Sequence, residues 1–269
     1  RRVITMREKI TDKIRDPQLK AMHLTYMGYT LYAISEYEKA IDTDLNALEM
    51  HIENGNRNGE VLTTGNLGRV YHHLGQLTRA IEYYQRAIKL AQEPSANADV
   101  SAYLANMGIA YSMLGEYNEA INCGEEALNT AQNPRDRSRA LSNLGLAYRG
   151  LREYGKAMEL LREALSIAYE IDDKRGQSFR LGHIGDLYQE VGEYAKALEH
   201  HKKGLEAAIA VKSLKLEGER LLGLGHAYLG IGDFDEAVST LALSLDIAIE
   251  IGNVKNENDC RIALGQAYL

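Results

Sequence analysis

The sequence predicts an all-α protein, a solenoid of antiparallel helix pairs repeated at a near-constant period. Three observations carry that reading. A glycine recurs within an L-G-x-x-Y pattern, at Gly28, Gly68, Gly108, Gly145, Gly185, Gly225 and Gly265. The steps between these anchors are 40, 40, 37, 40, 40 and 40 residues, and self-similarity at a fixed period of this size marks a repeat architecture. Between anchors, apolar residues fall at helical spacing in two runs split by a G-[ED]-[YF] turn, which reads as helix, short turn, helix.

Each constant of the unit has a physical task. The anchor lies inside the first helix of each pair, helix A. Three residues later stand Leu31, Tyr71, Tyr111, Tyr148, Tyr188, Tyr228 and Tyr268. Seven after the anchor comes the turn, with Gly75, Gly115, Gly192 and Gly232, and with Ser35 and Arg152 as departures. Nine after it, Tyr37, Leu77, Tyr117, Tyr154, Tyr194 and Phe234 open helix B. Twelve after it stand Ala40, Ala80, Ala120, Ala157, Ala197 and Ala237. A glycine inside a helix costs roughly 1 kcal/mol against alanine, so its recurrence needs a packing reason. The anchor glycine and the helix B alanine are the expected point of closest approach, where a bulkier residue costs ~1–3 kcal/mol.

Composition agrees. The chain has 17 Tyr, 2 Phe, no Trp and 3 Pro. Ten of the tyrosines sit three or nine residues after an anchor, so most aromatic content belongs to the repeat. Period-two apolar alternation is lacking, which argues against strands. Pro17 and Pro134 each lie eleven residues before an anchor. Residues 1–16 therefore match the end of a preceding helix B, 17–259 six hairpins, and 260–269 the start of a seventh helix A. We expect one continuous solenoid without linkers, cut from a longer protein. Its uncapped ends make self-association available.

The remaining counts bound function. Net charge is −7 with both signs interspersed, so a basic footprint for nucleic acid is absent. No apolar run reaches the ~20 residues of a membrane span. Two cysteines, Cys123 and Cys260, fit a reducing cytoplasm rather than a disulfide framework. Gly223, Gly225 and Gly230 faintly imitate a dinucleotide turn, but that turn needs a preceding strand. The pairs His72-His73 and His200-His201 cannot chelate as adjacent helical residues, and read as solvated or groove histidines. The expectation is a non-enzyme that needs neither cofactor nor metal.

The pattern resembles the tetratricopeptide repeat, whose standard unit is 34 residues with Gly and Ala at these offsets. The 40-residue spacing is similar to the long-helix subclass of kinesin light chain, Pins-type adaptors and bacterial STAND sensor arrays. Segments 76–84 and 171–177 look most like the bacterial versions. The resemblance covers nearly the whole chain and implies a right-handed superhelix, with helices A lining its concave groove. It also implies a protein- or peptide-binding role, here as the partner- or effector-sensing region of a bacterial STAND-type signalling protein. A constitutive scaffold of the Pins or kinesin-light-chain type is the alternative, and a small-molecule receptor in the groove is another.

In that register, Asn66, Asn106 and Asn143 stand two before their anchors. An amide offers both donor and acceptor, so a row of them can clamp an extended peptide backbone, as the resemblance implies. Around them the early groove carries Tyr29, Tyr32, Arg69, His72, His73, Arg139 and Arg149. The late groove carries Phe179, Asp186, Gln189, Glu190, Glu219, His226 and Asp259, with His183 two before its anchor. The expected partner lays an acidic or phosphorylated stretch near the arginines, which bind such anions bidentately. A chaperone-type carboxylate clamp is a poor match, because Gly65 and Arg69 occupy its positions.

Overall fold

The computed structural model describes residues 10–11, 13–96 and 99–268. The end-of-helix expectation for 1–16 falls mainly on residues outside that set. Among the described residues the regular structure is helical, with no strand. The chain divides into two compact units, Arg1–Gln132 and Asn133–Leu269.

Unit 1 holds three helix pairs: α1 (Pro17–Ala33) with α2 (Tyr37–Glu53), α3 (Arg57–His73) with α4 (Leu77–Ala91), and α5 (Ser101–Leu114) with α6 (Tyr117–Thr130). Unit 2 holds α7 (Pro134–Gly150) with α8 (Tyr154–Glu170), α9 (Lys174–Glu190) with α10 (Tyr194–Ala210), and α11 (Leu214–Ile231) with α12 (Phe234–Glu250). A further A helix, α13 (Val254–Ala267), follows in unit 2. Within each unit every helix packs on its neighbour in sequence, and successive A helices also touch.

Two turns per repeat set this geometry. The turn inside each pair places one residue in the left-handed region, at φ 64° for Ser35, 72° for Gly75, 80° for Gly115, 62° for Arg152, 78° for Gly192 and 81° for Gly232. The next amide then closes back on the helix, as Glu153 N donates to Tyr148 O at 2.9 Å. Between pairs, Gly55, Asp172, Lys212 and Gly252 take the same conformation. Most A helices start on a side-chain cap, α5 and α11 excepted. Asn56 accepts from Gly59 N, Asn133 from Asp136 N, and Asp173 from Gly176 N, each at 3.0 Å. Such caps are worth about 1 kcal/mol apiece.

The anchor glycines correct one expectation. The alanines twelve residues on are fully or almost fully buried, yet they are not the main reason for the glycine. A side-chain carbon at Gly28, Gly68, Gly185 or Gly225 would strike Asp44, Tyr84, His201 or Leu241. These residues stand sixteen after their anchors, and Leu161 does the same at Gly145. Helix B thus drives its sixteenth-position side chain across the glycine of helix A. An alanine carbonyl is among the nearest atoms at Gly108 and Gly145, at 3.3 and 3.2 Å.

The tyrosines three after the anchor stitch repeats together. A cation eleven after the anchor lies over the ring, with Arg79 5.7 Å from the Tyr71 centroid and Lys156 3.9 Å from that of Tyr148. The preceding repeat reaches the same tyrosine from its seventeenth position. Gln85 donates to the Tyr111 hydroxyl at 3.4 Å, and Arg162 to that of Tyr188 at 3.0 Å.

Candidate functional site

In unit 1 the A helices gather exposed Tyr29, half-buried Tyr32 and Arg69, and Asn66, which is buried at 6% exposure. The Arg69 guanidinium lies over both rings, 4.8 Å from the Tyr29 centroid and 5.0 Å from that of Tyr32. Its Nη2 donates to Asn66 Oδ1 at 2.5 Å, while its buried Nε has no hydrogen-bond partner. Among the described residues Arg69 forms no ion pair. Tyr103 of α5 covers Gly65, whose missing side chain leaves room for the ring. Met22, Tyr26, Tyr29 and Leu62 are exposed on these A helices.

Beneath this face lies a polar layer that the sequence reading missed. Asp44 of α2 is fully buried, and neither carboxylate oxygen has a hydrogen-bond partner. Burial pushes its carboxyl up to about 8, with Arg69 pulling the other way. The fully buried Tyr84 hydroxyl also lacks a partner, and burial pushes it upward against the same Arg69.

The histidine pair of α3 diverges. His73 stacks on Tyr37 at 5.5 Å and meets the edge of Tyr32 at 5.2 Å. His72 instead points Nε2 at Met113 Sδ, 3.3 Å away on α5, and burial lowers its basicity. Asn106 is half-buried on α5, and Asn143 half-buried on α7 in the other unit.

Unit 2 departs from a simple split into early basic and late acidic charge. Arg139 pairs with Asp136 at 2.7 Å. Arg149 pairs with Asp186 at 3.6 Å and with Glu190 at 3.0 Å, so residues assigned to opposite poles neutralise each other. Asp186 also lies 3.6 Å from Nε2 of His201. His201 is no solvated histidine. It is fully buried between Gly185 and Gly223, whose missing side chains make its space. Burial holds it down to about 4. Gly230 likewise leaves room for Tyr194, so the apparent dinucleotide turn consists of packing glycines. His183 is held down to about 3, by burial first and then by Arg220, Arg149 and Arg180 against Asp186. Burial also lowers His226, with Asp259 and Asp186 opposing.

Arg180 and Arg220 were not foreseen. Both are almost fully buried and stand five before their anchors, a position to which the sequence reading gave no role. One signal was available. Gly65 and Gly182 precede Tyr103 and Arg220 by the same 38 residues, and each glycine receives that long side chain.

A cavity of about 430 Å³ lies on unit 1, lined by Tyr71, Arg79, Glu82, Tyr83 and Arg86. Among the described residues no group of three or more His, Cys, Asp or Glu is placed to hold a metal. No described helix is long and apolar enough to cross a membrane.

No curated protein sequence matches the chain. Among solved structures it is similar to a Rap protein complexed with competence and sporulation factor. The identity is 15%, covering 98% of this chain and 79% of that one, with TM-score 0.71. It is similar to a STAND protein with a tetratricopeptide repeat sensor from Pyrococcus horikoshii, at 15% identity and TM-score 0.68, covering 95% of this chain and 38% of that one. It is also similar to the apo form of the quorum sensor NprR from B. thuringiensis, at 14% identity and TM-score 0.68, covering 98% and 74%. Identities this low speak to fold alone. The tetratricopeptide repeat profile matches residues 19–93, 62–133, 99–170, 136–210 and 180–250. With its helix pairs, left-handed turns and anchor glycines in that register, the chain belongs to the tetratricopeptide-repeat family.

Proposed function

We propose that this chain is a non-catalytic, partner-binding array in the cytoplasm, the effector-sensing part of a STAND-type signalling protein. Its ligand is a protein or extended peptide held on the outward faces of the A helices. The observation that carries this reading is Arg69. It is held in place by two tyrosine rings and Asn66, and it meets no carboxylate among the described residues. A partner carrying an acidic or phosphorylated residue gains two parallel hydrogen bonds from it. The exposed Tyr26, Tyr29 and Leu62 supply apolar contact beside that anchor. Asn66 and Asn106 of unit 1 are the groups for the partner's backbone. The solved relatives support the general class: one is a repeat sensor on a STAND protein, and another is a Rap protein in complex with its factor.

The test is selection of displayed random peptides on the 269-residue chain. Counter-selection uses an Asn66→Ala/Arg69→Ala/Asn106→Ala variant of equal helicity. The expected outcome is a family of acidic peptides that bind the parent at least about tenfold more tightly, roughly 1.4 kcal/mol. Peptides that bind both proteins equally would rule this face out.

A further inference from the structure

The turn inside each helix pair carries an acid eight residues after the anchor in five repeats, at Glu36, Glu116, Glu153, Glu193 and Asp233. The second repeat has Gln76 there, and the change falls beside a cation. In the first and fifth repeats the turn acid holds a lysine at the eleventh position, Glu36 with Lys39 at 3.1 Å and Glu193 with Lys196 at 3.2 Å. In the second repeat that position is Arg79. Gln76 offers it only a neutral amide oxygen, which accepts from Arg79 Nη1 at 3.0 Å. A second cation repeats the contrast. Lys203 of α10 is held by Glu199 at 2.6 Å. Arg86 and Glu82 occupy the same two positions on α4. Among the described residues neither Arg79 nor Arg86 forms an ion pair.

Both arginines line the cavity of about 430 Å³ on unit 1, together with Tyr71, Tyr83 and Glu82. Arg79, Tyr83 and Arg86 follow one another at steps of four and three residues on α4, so they share one helix face. From α3, Tyr71 stacks on Tyr83, with ring centroids 5.2 Å apart and planes 12° from parallel. The Arg79 guanidinium lies 5.7 Å from the Tyr71 centroid. The two tyrosines are half-buried and the two arginines exposed. The cavity thus has an aromatic wall and two cationic forks open to solvent. Burial first, and Tyr71 second, raise the Tyr83 hydroxyl against Arg86 and Arg79, which keeps it a donor at neutral pH. Apart from Glu82, every polar side chain of the lining can donate to an anion.

We propose that the cavity lined by Tyr71, Arg79, Tyr83 and Arg86 binds a phosphomonoester. A phosphate group carries nearly two charges and three terminal oxygens, enough to engage two planar guanidinium forks together. The volume of about 430 Å³ is that of a small-molecule pocket, so the tyrosine wall also meets the group that bears the phosphate. The site uses none of the residues on which the peptide selection depends, so either reading can fail without the other.

The experiment is calorimetric titration of phenyl phosphate, and of benzoate as its carboxylate counterpart, into the 269-residue chain. The parent is expected to bind phenyl phosphate with a Kd of about 1 mM or below. Benzoate, with one charge and two oxygens, is expected to bind at least about fivefold more weakly. Arg79→Gln/Arg86→Gln is expected to weaken phenyl phosphate at least about tenfold. Gln76→Glu alters no lining residue. It restores the turn acid of the other repeats beside Arg79, and is expected to weaken binding about threefold. Glu82→Gln removes the carboxylate of the lining and is expected to tighten it. All of these positions are exposed, so the variants are expected to keep the helicity of the parent. No binding by the parent at about 10 mM ligand overturns the proposal. So does equal binding by the parent and the double-arginine variant. Equal affinity for benzoate overturns the assignment to phosphate.

Discussion

A side-chain carbon on Gly182 would coincide with Nη1 of Arg220. Arg220 reaches from α11 back across α9 and lies where the glycine leaves space. The same rung joins Gly65 to Tyr103. In the first two repeats it joins Thr25 to Thr63, whose hydroxyls meet at 2.9 Å. In each case the residues are 38 apart, three before one anchor and five before the next. The rung therefore brings neighbouring A helices together through a small side chain and a large one, or through two small ones. Gly182→Ala is expected to displace the guanidinium and cost about 1–3 kcal/mol in urea denaturation, a typical overpacking loss. The Gly182→Ala/Arg220→Ala double variant is expected to lose less than the two singles combined. Strict additivity would mean that the rung carries no coupling.

Legibility in the sequence followed constancy. The anchor glycine and the helix B alanine keep one identity across repeats, and the turn residue is glycine in four of six, so their period exposes the helix pairs directly. The sixteenth position changes from Asp44 to Tyr84, Leu161, His201 and Leu241. In these five repeats it fills the space over the glycine with different side chains, while the third repeat has Gly124 there and Cys123 approaches Gly108 instead. Arg180 and Arg220 were missed for a related reason. Their position holds Thr63 and Tyr103 elsewhere, and only the glycine opposite Arg220 betrays a long side chain. The groove charges were visible one by one, but the pairing of Arg149 with Asp186 and Glu190 depends on how α7 and α9 pack.

Asp44 makes stability depend on pH. Its carboxyl is raised from 3.8 to about 8 by burial. In the folded chain it stays protonated while the unfolded chain ionises. Its contribution is therefore complete below pH 3.8 and is lost as pH rises toward about 8, the sign expected for a raised folded-state value. Asp44→Asn removes that loss. The variant is expected to exceed the parent at about pH 8.5 by a margin on the order of several kcal/mol. The margin should shrink steadily toward about pH 4.5. Urea titrations across this range measure it, and a margin independent of pH would show that Asp44 does not titrate in the window.

Two turns carry removable strain. Arg152 and Ser35 hold φ values of 62° and 64° where four other repeats place glycine. A residue with a side chain pays roughly 1–2 kcal/mol there, and glycine returns part of that gain through unfolded-state entropy. Arg152 is exposed and forms no ion pair among the described residues. Arg152→Gly is therefore expected to stabilise by about 0.5–1 kcal/mol. Ser35→Gly should gain less, because Ser35 Oγ accepts from the Tyr37 hydroxyl at 3.3 Å. Equilibrium denaturation of both variants tests the ranking as well as the sign.

The groove arginines are expected to separate by partner. Arg149 is already held by two carboxylates, and a ligand anion has to compete with them. Arg69 presents a guanidinium stacked on Tyr29 and Tyr32 with no carboxylate to displace. Lysine preserves the charge at either site but loses the planar fork and the stacking. For acidic peptides selected on the parent chain, Arg69→Lys is expected to weaken binding about tenfold, or 1.4 kcal/mol. Arg149→Lys should change it by less than about threefold, in keeping with the small worth of an exposed, internally compensated pair. Calorimetric titration of one peptide against both variants decides the matter. Equal losses would place the anchoring charge elsewhere, because only the unpaired arginine offers its hydrogen bonds without first breaking others.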